Sequence, residues 1–515
     1  MAAAGDGTVA SLVEAQAAAR PGANYFTSAE TGRALTFGEL AGSARRVAAL
    51  LAREGLVPGA HVSVVMPNGL ATVRLLLGAM AGGFCVNPVN LLSSPEQMRY
   101  VFDHSDSGVA FASPEWAPRL RELASGIARG LRVVEVDPDA PELPGERGED
   151  ARSPLPPVAP ESLALLMYTS GTTGKPKGVM LSHANLVANA LAISAEHALG
   201  PADRVAAVLP LYHINAFAVT MLAPLAHGGS LVMPARFSTA KFWPMATGAG
   251  CTWINVVPTI VSYLLEGEAA PREALSRIRF CRSASAALPP EHHLAFERKF
   301  GIGIIETMGL TETVAPAFAN PLDPTQRKVG SVGRASGCEA RVVDERGADL
   351  PDGSPGEIAI RGPQVTAGYY KNPDATAAAF FPGGWLRTGD IGRRDAEGFF
   401  FITGRIKELI IKGGENIAPR EIDEALLQHP ALLEAAVVGI PDDNYGQEIM
   451  ACVVLKPDRT CSEAELRTYC EGALGSYKTP RLFRFVTELP KGPSGKVQRL
   501  KMLEHLAPAT REGQR

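Results

Sequence analysis

The chain has 515 residues, too many for one hydrophobic core, so about two to four domains or subdomains are expected. Its composition is ordinary for a globular protein, and a net charge of −4 gives no support for a nucleic-acid or membrane-surface partner. The seven Cys are scattered and form no CxxC pair, so neither a disulfide framework nor a zinc site is expected, and a reducing cytoplasm fits.

The N-terminal part alternates between helical and strand patterns. Residues 36–55 carry apolar residues at helical spacing, and HVSVVMPNG (61–69) has the pattern of a short strand and a turn. The longest apolar run, about residues 69–86, contains Arg74, so we expect a buried helix leading into a strand and no membrane span. Pro and acidic residues in 136–161 predict an exposed connection.

Further strand patterns lie between helical ones at 205–210, 230–234, 252–258 and 279–285. Strands that alternate with helices favour an α/β fold with mixed, mostly parallel sheets flanked by helices. From about residue 400 the pattern changes to strands, a Gly-rich loop, a helix, a hairpin and a second helix, typical of a small α+β domain. The predicted domains are a large one at 1–404 and a smaller one at 405–515.

The stretch YTSGTTGKPKGV (168–179) follows a strand pattern and has the composition of a phosphate-binding loop. It is not a Walker A motif, because two residues separate Gly171 from Gly174 and Pro176 follows Lys175. Glycines still allow backbone N–H groups to approach a phosphate, and hydroxyls and ammonium groups add donors and charge. A solvated surface loop is the alternative interpretation.

This stretch resembles the phosphate loop of the adenylate-forming superfamily, which includes acyl-CoA synthetases, luciferases and peptide-synthetase adenylation domains. The resemblance extends over nearly the whole chain, through segments similar to the family's in the same order: PLYHINAF (210–217), TMGLTE (307–312), GEIAIRGPQVTAGYYKNPDAT (356–376), WLRTGD (385–390), GRIKELIIKGGENIAPREID (404–423) and LPKGPSGKVQR (489–499). It implies an enzyme that uses ATP, Mg²⁺ and coenzyme A.

The resemblance assigns roles to individual residues. Glu312 and Thr169 hold Mg²⁺, Lys496 bridges the substrate carboxylate and the α-phosphate, and His213 is a further catalytic candidate. The ATP/AMP site is implied at Thr169, Ser170, Gly171, Thr172, Thr173, Gly174, Lys175, Lys177, Thr307, Met308, Gly309, Thr311, Asp390, Ile402, Arg405 and Lys496. Met308 departs from the aromatic residue common in the family, and its thioether would cover the adenine instead.

The resemblance also implies a mobile small domain. Lys407 occupies the hinge position, about which the domain swings between formation of acyl-AMP and transfer to CoA. Lys412, Gly413 and Gly414, in KGGENI (412–417), are the residues implied to face CoA.

The acid pocket is the least determined part of the site. RFCRSASAALPP (279–290) resembles the oxalate–CoA ligase branch, which points to Arg282, Ser283 and Ser285 as readers of a second anionic or polar group. The pocket wall would include His213 and Met308. The alternative is that Arg282 faces away and pairs structurally, because strand residues alternate in direction.

Three functions remain open at this point. The first is an ATP-dependent acid–CoA ligase that makes acyl-AMP and pyrophosphate from a small carboxylic acid and then a thioester. The second is an adenylating enzyme that loads a carrier protein or performs other AMP-dependent chemistry. The third is a non-catalytic binding or scaffold protein, which the presence of Glu312, Asp390 and Lys496 opposes. A cytoplasmic monomer or homodimer is expected.

Overall fold

The computed structural model describes residues 7–127, 129–169, 175–491 and 497–506. The chain divides into two compact units, each assembled from separate stretches. The first unit takes residues 1–285, 294–340 and 360–386, and the second takes residues 286–293, 341–359 and 387–515. The predicted domain boundary between residues 404 and 405 falls inside the second unit.

A nine-stranded sheet in the first unit has the order β15-β14-β13-β12-β11-β9-β10-β1-β2. Its strands are β1 (Asn24–Ser28), β2 (Ala34–Thr36), β9 (Arg204–Ala207), β10 (Ser230–Met233), β11 (Trp253–Val256), β12 (Phe280–Ser283), β13 (Ile304–Leu310), β14 (Ala315–Ala319) and β15 (Arg334–Ala335). The neighbours from β13 through β12, β11, β9 and β10 to β1 are all parallel. Their carboxyl ends therefore meet at one edge of the sheet, where α/β proteins bind ligands.

A six-stranded sheet in the same unit has the order β6-β5-β3-β4-β7-β8. Its strands are β3 (His61–Val65), β4 (Cys85–Pro88), β5 (Val109–Ala112), β6 (Arg132–Glu135), β7 (Leu163–Thr169) and β8 (Lys177–Ser182). All neighbours are parallel except the hairpin of β7 and β8, which closes the sheet at one side.

Residues 339–405 contain a five-stranded sheet, and two smaller sheets follow in the second unit. The strands are β16 (Glu339–Val343), β17 (Gly356–Arg361), β18 (Phe380–Phe381), β19 (Trp385–Arg394), β20 (Phe400–Arg405), β21 (Ile410–Lys412), β22 (Glu415–Ile417), β23 (Leu432–Asp442), β24 (Gly446–Leu455) and β25 (Leu482–Phe485). The long hairpin of β23 and β24 confirms the hairpin predicted for the C-terminal part.

The α-helices of the described residues are α1 (Val9–Ala19), α2 (Phe37–Arg53), α3 (Leu70–Ala81), α4 (Pro95–His104), α5 (Ala117–Ala124), α6 (His183–Glu196), α7 (Ala223–His227), α8 (Thr239–Gly248), α9 (Pro258–Glu266), α10 (Arg272–Leu275), α11 (Pro290–Phe300), α12 (Pro373–Ala378), α13 (Pro419–Leu427), α14 (Glu463–Leu474) and α15 (Arg499–Leu506). Helix α2 begins with a capping box, in which the Thr36 and Glu39 side chains accept hydrogen bonds from each other's backbone N–H. Helix α3 followed by β4 confirms the prediction for the long apolar run. Within the described chain, no helix has the length and apolarity that crossing a membrane requires.

Arg74 lies within that apolar run, and its guanidinium is buried. Its Nη2 donates to both carboxylate oxygens of Glu146 at 2.8 and 2.6 Å, and its Nε donates to Ser43 Oγ at 2.6 Å. Glu146 belongs to segment 136–161, which was predicted to be exposed. The prediction is wrong at Glu146, whose side chain is 2% exposed, because it is the counterion of the buried Arg74 guanidinium.

Candidate active site

The phosphate-loop stretch is carried by the hairpin of β7 and β8. Thr169 ends β7 and pairs with Lys177, the first residue of β8, so the two ends of this stretch belong to paired strands. Five residues that were assigned to the ATP/AMP site lie outside the described residues: Ser170, Gly171, Thr172, Thr173 and Gly174. Lys175 is exposed, with its Nζ 5.6 Å from the centre of the Tyr100 ring.

The segment 366–370 joins β8 to the turn that holds Glu312. The Thr366 hydroxyl donates to Met180 O at 2.6 Å, and the Thr366 N–H donates to Glu312 O at 2.8 Å. The Tyr370 N–H donates to Gly178 O at 2.8 Å, which adds a second attachment to β8. The phosphate-loop hairpin and the predicted metal ligand are therefore brought together by a third segment of the first unit.

Tyr369 is the side chain at the centre of this junction. Its hydroxyl donates to Glu312 Oε1 at 2.9 Å, and the Lys177 ammonium lies 4.9 Å from the centre of its ring. Burial, reinforced by the negative charge of Glu312, raises the pKa of Tyr369, so its proton stays on the hydroxyl and orients the carboxylate. Tyr369 and Thr366 were missed in the sequence, although both lie in the quoted segment 356–376.

Glu312 fits the predicted role as a Mg²⁺ ligand. Among the described residues there is no cluster of three or more His, Cys, Asp or Glu side chains that forms a complete metal cage. Nucleotide-dependent enzymes commonly bind Mg²⁺ through one or two carboxylates together with the substrate phosphates. A single half-buried carboxylate, held in place by Tyr369 beside the phosphate-loop hairpin, has this chemistry.

The rest of TMGLTE lies on β13 and in the turn after it. Thr307 is buried, with its hydroxyl donating to Ser283 O of β12 at 3.4 Å, while Met308 and Thr311 are half-buried. A Cβ at Gly309 would lie 1.6 Å from the carbonyl oxygen of Ala315 on β14. Gly309 is therefore required by the close approach of the two strands, a structural reason that the nucleotide assignment did not include.

Of the predicted acid-pocket residues, Arg282 and Ser283 lie at the carboxyl end of β12, Ser285 follows that strand, and the three differ in burial. Arg282 and Ser283 are fully buried, whereas Ser285 is exposed. His213 is half-buried after β9, and its ring lies edge-on to Tyr212 with centroids 4.8 Å apart.

Arg282 is bonded to residues that sequence reasoning missed. Its Nη1 donates to Asn215 Oδ1 and to Asn255 Oδ1, both at 2.8 Å. Asn215 follows β9 in the quoted PLYHINAF segment, and Asn255 is a polar residue inside the apolar strand β11. The sequence did contain a signal for this contact: Asn255 places an amide inside an apolar strand, and a buried polar group requires a hydrogen-bond partner.

The predicted ribose residues lie in the second unit. Asp390 of β19 pairs with Arg405 of β20, whose Nε lies 2.7 Å from Asp390 Oδ1. The Asp390 side chain is 4% exposed and the Arg405 side chain is 36% exposed, so the carboxylate of this pair is buried whereas its guanidinium reaches solvent. Ile402 is half-buried on β20 opposite Gly392.

The hinge and CoA residues follow in the same unit. Lys407 is exposed in a short turn at Ile406–Glu408. Gly413 and Gly414 are exposed with φ of 57° and 87°, a left-handed backbone that presents the main chain to solvent.

The Lys412 ammonium is bonded within the second unit. The side chain is 7% exposed, and Nζ lies 2.8 Å from Glu448 Oε1 and donates to Tyr477 O at 2.9 Å. Its role towards CoA stays a prediction. Lys496 lies outside the described residues.

Comparisons with known proteins identify the family of the chain. Residues 13–370 match the model of the AMP-binding enzyme family, and residues 421–496 match the AMP-binding enzyme C-terminal domain. The chain is 58% identical over 499 residues to sulfoacetate–CoA ligase of Cupriavidus necator, which covers 97% of this chain and 98% of the relative. It is 34% identical to oxalate–CoA ligase of Arabidopsis thaliana, over 90% of this chain and 91% of that one.

Solved structures share the fold. The crystal structure of ATP-bound MatB from Rhodopseudomonas palustris superposes with a TM-score of 0.88 at 30% identity, covering 96% of this chain and 98% of that chain. The predicted α/β fold class is thereby confirmed. The chain belongs to the AMP-binding enzyme family and is an ATP-dependent acid–CoA ligase.

Proposed function

We propose that the acid activated by this ligase is a short carboxylic acid with a second anionic group, and that sulfoacetate is its substrate. The observation that carries the proposal is the 58% identity, over nearly the full length of both chains, with a sulfoacetate–CoA ligase. The buried guanidinium of Arg282 at the carboxyl ends of the parallel strands supports an anionic substrate, since it places positive charge at that edge.

The reaction proceeds in two displacements. A carboxylate oxygen of the acid attacks the α-phosphorus of ATP, and the bond to pyrophosphate breaks to leave acyl-AMP. The sulfur of CoA then attacks the acyl carbonyl carbon, the bond to AMP breaks, and the thiol proton is released to solvent. Both steps transfer a group without any change in oxidation state.

In the first step the residues of the β7–β8 hairpin bind the polyphosphate. Glu312 and Thr169 would hold Mg²⁺, which neutralises phosphate charge when bound, and Tyr369 orients the Glu312 carboxylate through its hydrogen bond. Lys175 and Lys177 add positive charge, and Lys496 stabilises the charge that develops between the carboxylate and the α-phosphate. Fixed charges of this kind act where the transition state gains negative charge.

In the second unit, Asp390 and Arg405 would bind the ribose hydroxyls, with Ile402 beside them. The buried carboxylate of Asp390 is already oriented by Arg405, which favours this role over a purely solvated pair. Rotation about Lys407 would exchange Lys496 for the backbone of Gly413 and Gly414 between the two steps.

The experiment is a substrate panel with the purified protein. ATP, Mg²⁺ and CoA are supplied with sulfoacetate, oxalate, malonate or propionate, and pyrophosphate, AMP and the thioester are quantified. We expect the highest kcat/KM for sulfoacetate, with a thioester formed for each pyrophosphate released. The control is Glu312→Gln, which keeps the side-chain shape and removes the charge that binds Mg²⁺.

Two other results would change the assignment. A preference for propionate would overturn the second anionic group as the selected feature. Pyrophosphate release without a thioester would instead favour the alternative, an adenylating enzyme that loads a carrier protein, whose pantetheine arm has the same thiol.

Location and assembly are further proposals. All seven cysteines are free thiols, which favours the cytoplasm, where thiols stay reduced. A monomer or homodimer is the proposed assembly, and sedimentation equilibrium would distinguish the two.

A further inference from the structure

Arg282 is a buried cation that no carboxylate neutralises. Its side chain is 1% exposed, and its hydrogen bonds go to the neutral amide oxygens of Asn215 and Asn255. Nε of Arg282 is buried without a hydrogen-bond partner, and within the described chain no acidic side chain forms an ion pair with this guanidinium. An isolated buried charge costs free energy, so its retention here calls for a ligand or a partner of opposite charge.

The charge is present at neutral pH. Burial lowers the pKa of Arg282 to about 9, which still leaves the guanidinium protonated. Arg282 lies near the carboxyl end of β12 (Phe280–Ser283), and the exposed Ser285 follows the strand.

A hydrogen-bonded chain leads from this charge to solvent. Arg282 carries only donors, so the atom of Asn215 that receives its bond is the amide oxygen. The amide nitrogen of Asn215 then donates to Ser285 Oγ at 3.2 Å. Because Ser285 Oγ accepts this bond, its own proton is left to donate to a ligand, and the positive charge behind it strengthens that donor.

Ser285 is held in an unusual conformation. Its φ is 75°, in the left-handed region that residues other than Gly rarely occupy, and the residue is exposed. Strained positions of this kind persist where the surrounding structure fixes them, and they concentrate at ligand sites. The bond from Asn215 is one contact that fixes this hydroxyl.

We propose that Ser285 is the specificity-determining residue that binds the second anionic group of the acid, and that Asn215 and Arg282 are positioning residues that orient and polarise its hydroxyl. This inference rests on the proposed function, because it requires a substrate with a sulfonate or a second carboxylate. Arg282 therefore acts on the anion through the side chains of Asn215 and Ser285 and not by direct contact. The selected ligand class is a short acid with an anionic oxygen that accepts from a hydroxyl.

The first test removes the hydroxyl. Ser285→Ala keeps a Cβ at the strained φ, whereas Ser285→Gly also relieves the strain. We expect the kcat/KM ratio of sulfoacetate over propionate to fall about 10- to 100-fold in both variants, mainly through a higher KM for sulfoacetate. We also expect the melting temperature of the Gly variant to be at least that of the wild type, which excludes misfolding as the cause. An unchanged ratio, or equal losses for both acids, would overturn the proposal.

The second test changes the charge without changing the shape. Asn215→Asp is nearly isosteric and retains an oxygen for Arg282, but its carboxylate pairs the guanidinium and replaces the donor to Ser285 by an acceptor. The Ser285 proton would then turn to the new carboxylate. We expect an intact fold and a loss of the sulfoacetate-to-propionate ratio at least as large as in Ser285→Ala.

Asn255→Asp is the matched comparison. It also places a carboxylate on Arg282 Nη1, and it removes the bond that Asn255 Nδ2 donates to Asn215 Oδ1 at 3.4 Å, but it leaves the bond from Asn215 to Ser285 Oγ in place. The ratio should therefore fall less than in Asn215→Asp. Equal losses in the two variants would overturn the relay through Ser285.

The wild-type panel separates this inference from the proposed function. If the wild type prefers another acid with two anionic groups, such as oxalate, the same variants are assayed with that acid, and a collapse of its ratio over propionate supports the inference although sulfoacetate is excluded. If the wild type prefers propionate, both proposals fail. If it prefers sulfoacetate and the variants keep that preference, only the role of Ser285 fails.

Calorimetric titration of sulfoacetate into Ser285→Ala, with the ATP analogue AMPCPP present, measures binding without turnover. A Kd equal to that of the wild type would contradict the proposal.

Discussion

Two buried arginines, one in each unit, have opposite electrostatic surroundings. Arg499 of the second unit is 15% exposed, its Nη2 is bonded to the Asp423 carboxylate, and its Nε lies 3.3 Å from Glu408 Oε2. Burial disfavours the charged form, but the two carboxylates outweigh it and raise the pKa of Arg499. The Val437 carbonyl oxygen accepts a further bond from Nη1 at 2.9 Å.

Arg282 of the first unit is buried more completely and has only amide oxygens as partners. Its pKa is lowered to about 9 by burial, with no carboxylate to compensate. The fold supplies the counterions of Arg499, whereas the charge of Arg282 is left to act on an anion from solution through Asn215 and Ser285. Arg74, which is paired with Glu146 in the same unit as Arg282, shows that the first unit can supply such a counterion.

The position of Arg499 suggests what its ion pairs hold together. It lies three residues after the predicted catalytic Lys496, and Glu408 directly follows the predicted hinge residue Lys407. The base of the lysine loop is closed by a bridge between Lys491 and Val497. Arg499 thus connects this base to the hinge segment within one unit.

The largest expected effect comes from breaking the neutralised arginine. Arg499→Met leaves Asp423 and Glu408 with uncompensated charges, so the free energy of unfolding should fall by about 3 to 5 kcal/mol. Urea denaturation followed by far-UV circular dichroism measures this change.

The control is Arg481→Ala, which removes an ion pair of the same unit from an arginine that is 65% exposed. We expect a change below about 1 kcal/mol there, because water and salt screen exposed pairs. Equal effects at Arg499 and Arg481 would show that burial does not distinguish the two pairs.

The second prediction concerns Lys496, three residues before Arg499 in the sequence. Lys496→Ala should slow acyl-AMP formation by about 10²- to 10³-fold, because it removes a charge that stabilises developing negative charge. The thioester step should be nearly unaffected. Pyrophosphate release measures the first step, and thioester formation from synthetic acyl-AMP and CoA measures the second.

An equal collapse of both steps would contradict the assignment of Lys496 to adenylation alone. Arg499→Met offers a sharper comparison, because a loosened loop base should also slow the first step more than the second. If both variants slow acyl-AMP formation more than thioester formation, the ion pairs of Arg499 help to position Lys496.

Much of the fold was predictable because local patterns determine it. The apolar alternation at 205–210, 252–258 and 279–285 gave β9, β11 and β12, and helical spacing gave α2 and α13. The units themselves were not predictable as continuous ranges, because the second unit includes 341–359 as well as the C-terminal part. Such an assembly depends on contacts between distant residues, which no local pattern reports.

The residues of the site also divide into those that the sequence identified and those that only the structure identified. Glu312 and Asp390 were identified by resemblance, but their partners were identified only in the structure. Tyr369 lies 57 positions from Glu312, and Asn215 lies 67 positions from Arg282. Which side chains meet depends on the order of strands in the sheet, and that order is a long-range property of the fold.

A third prediction concerns the Glu312 carboxylate, which accepts a hydrogen bond from the neutral Tyr369 hydroxyl. In this respect it resembles Arg282, whose partners are also neutral groups. Tyr369→Phe removes the hydrogen bond that orients Glu312, so the Mg²⁺ concentration for half-maximal adenylation should rise about 10-fold. The rate at saturating Mg²⁺ should change less. The measurement is pyrophosphate release across a Mg²⁺ titration.

The neighbouring Tyr370→Phe is the matched control for this prediction. Its hydroxyl donates to Asp106 at 2.8 Å, so it binds a different carboxylate from the one that Tyr369 contacts. We expect its Mg²⁺ dependence to equal that of the wild type. A shared rise in both variants would mean that the hydroxyl of Tyr369 stabilises the fold and does not act through Glu312.

The smallest expected change in stability comes from the arginine without a counterion. Arg282→Met loses the bonds to two amide oxygens, but it also removes a desolvated charge, and replacement of buried charges by apolar groups is often neutral. The free energy of unfolding should therefore change by about 1 kcal/mol or less, against the 3 to 5 kcal/mol expected for the same substitution at Arg499. The preference for sulfoacetate over propionate should nevertheless collapse, since the charge behind the Ser285 hydroxyl is gone. A loss of stability equal to that of Arg499→Met, with substrate preference retained, would mean that both arginines serve the fold and that the contrast between them has no functional meaning.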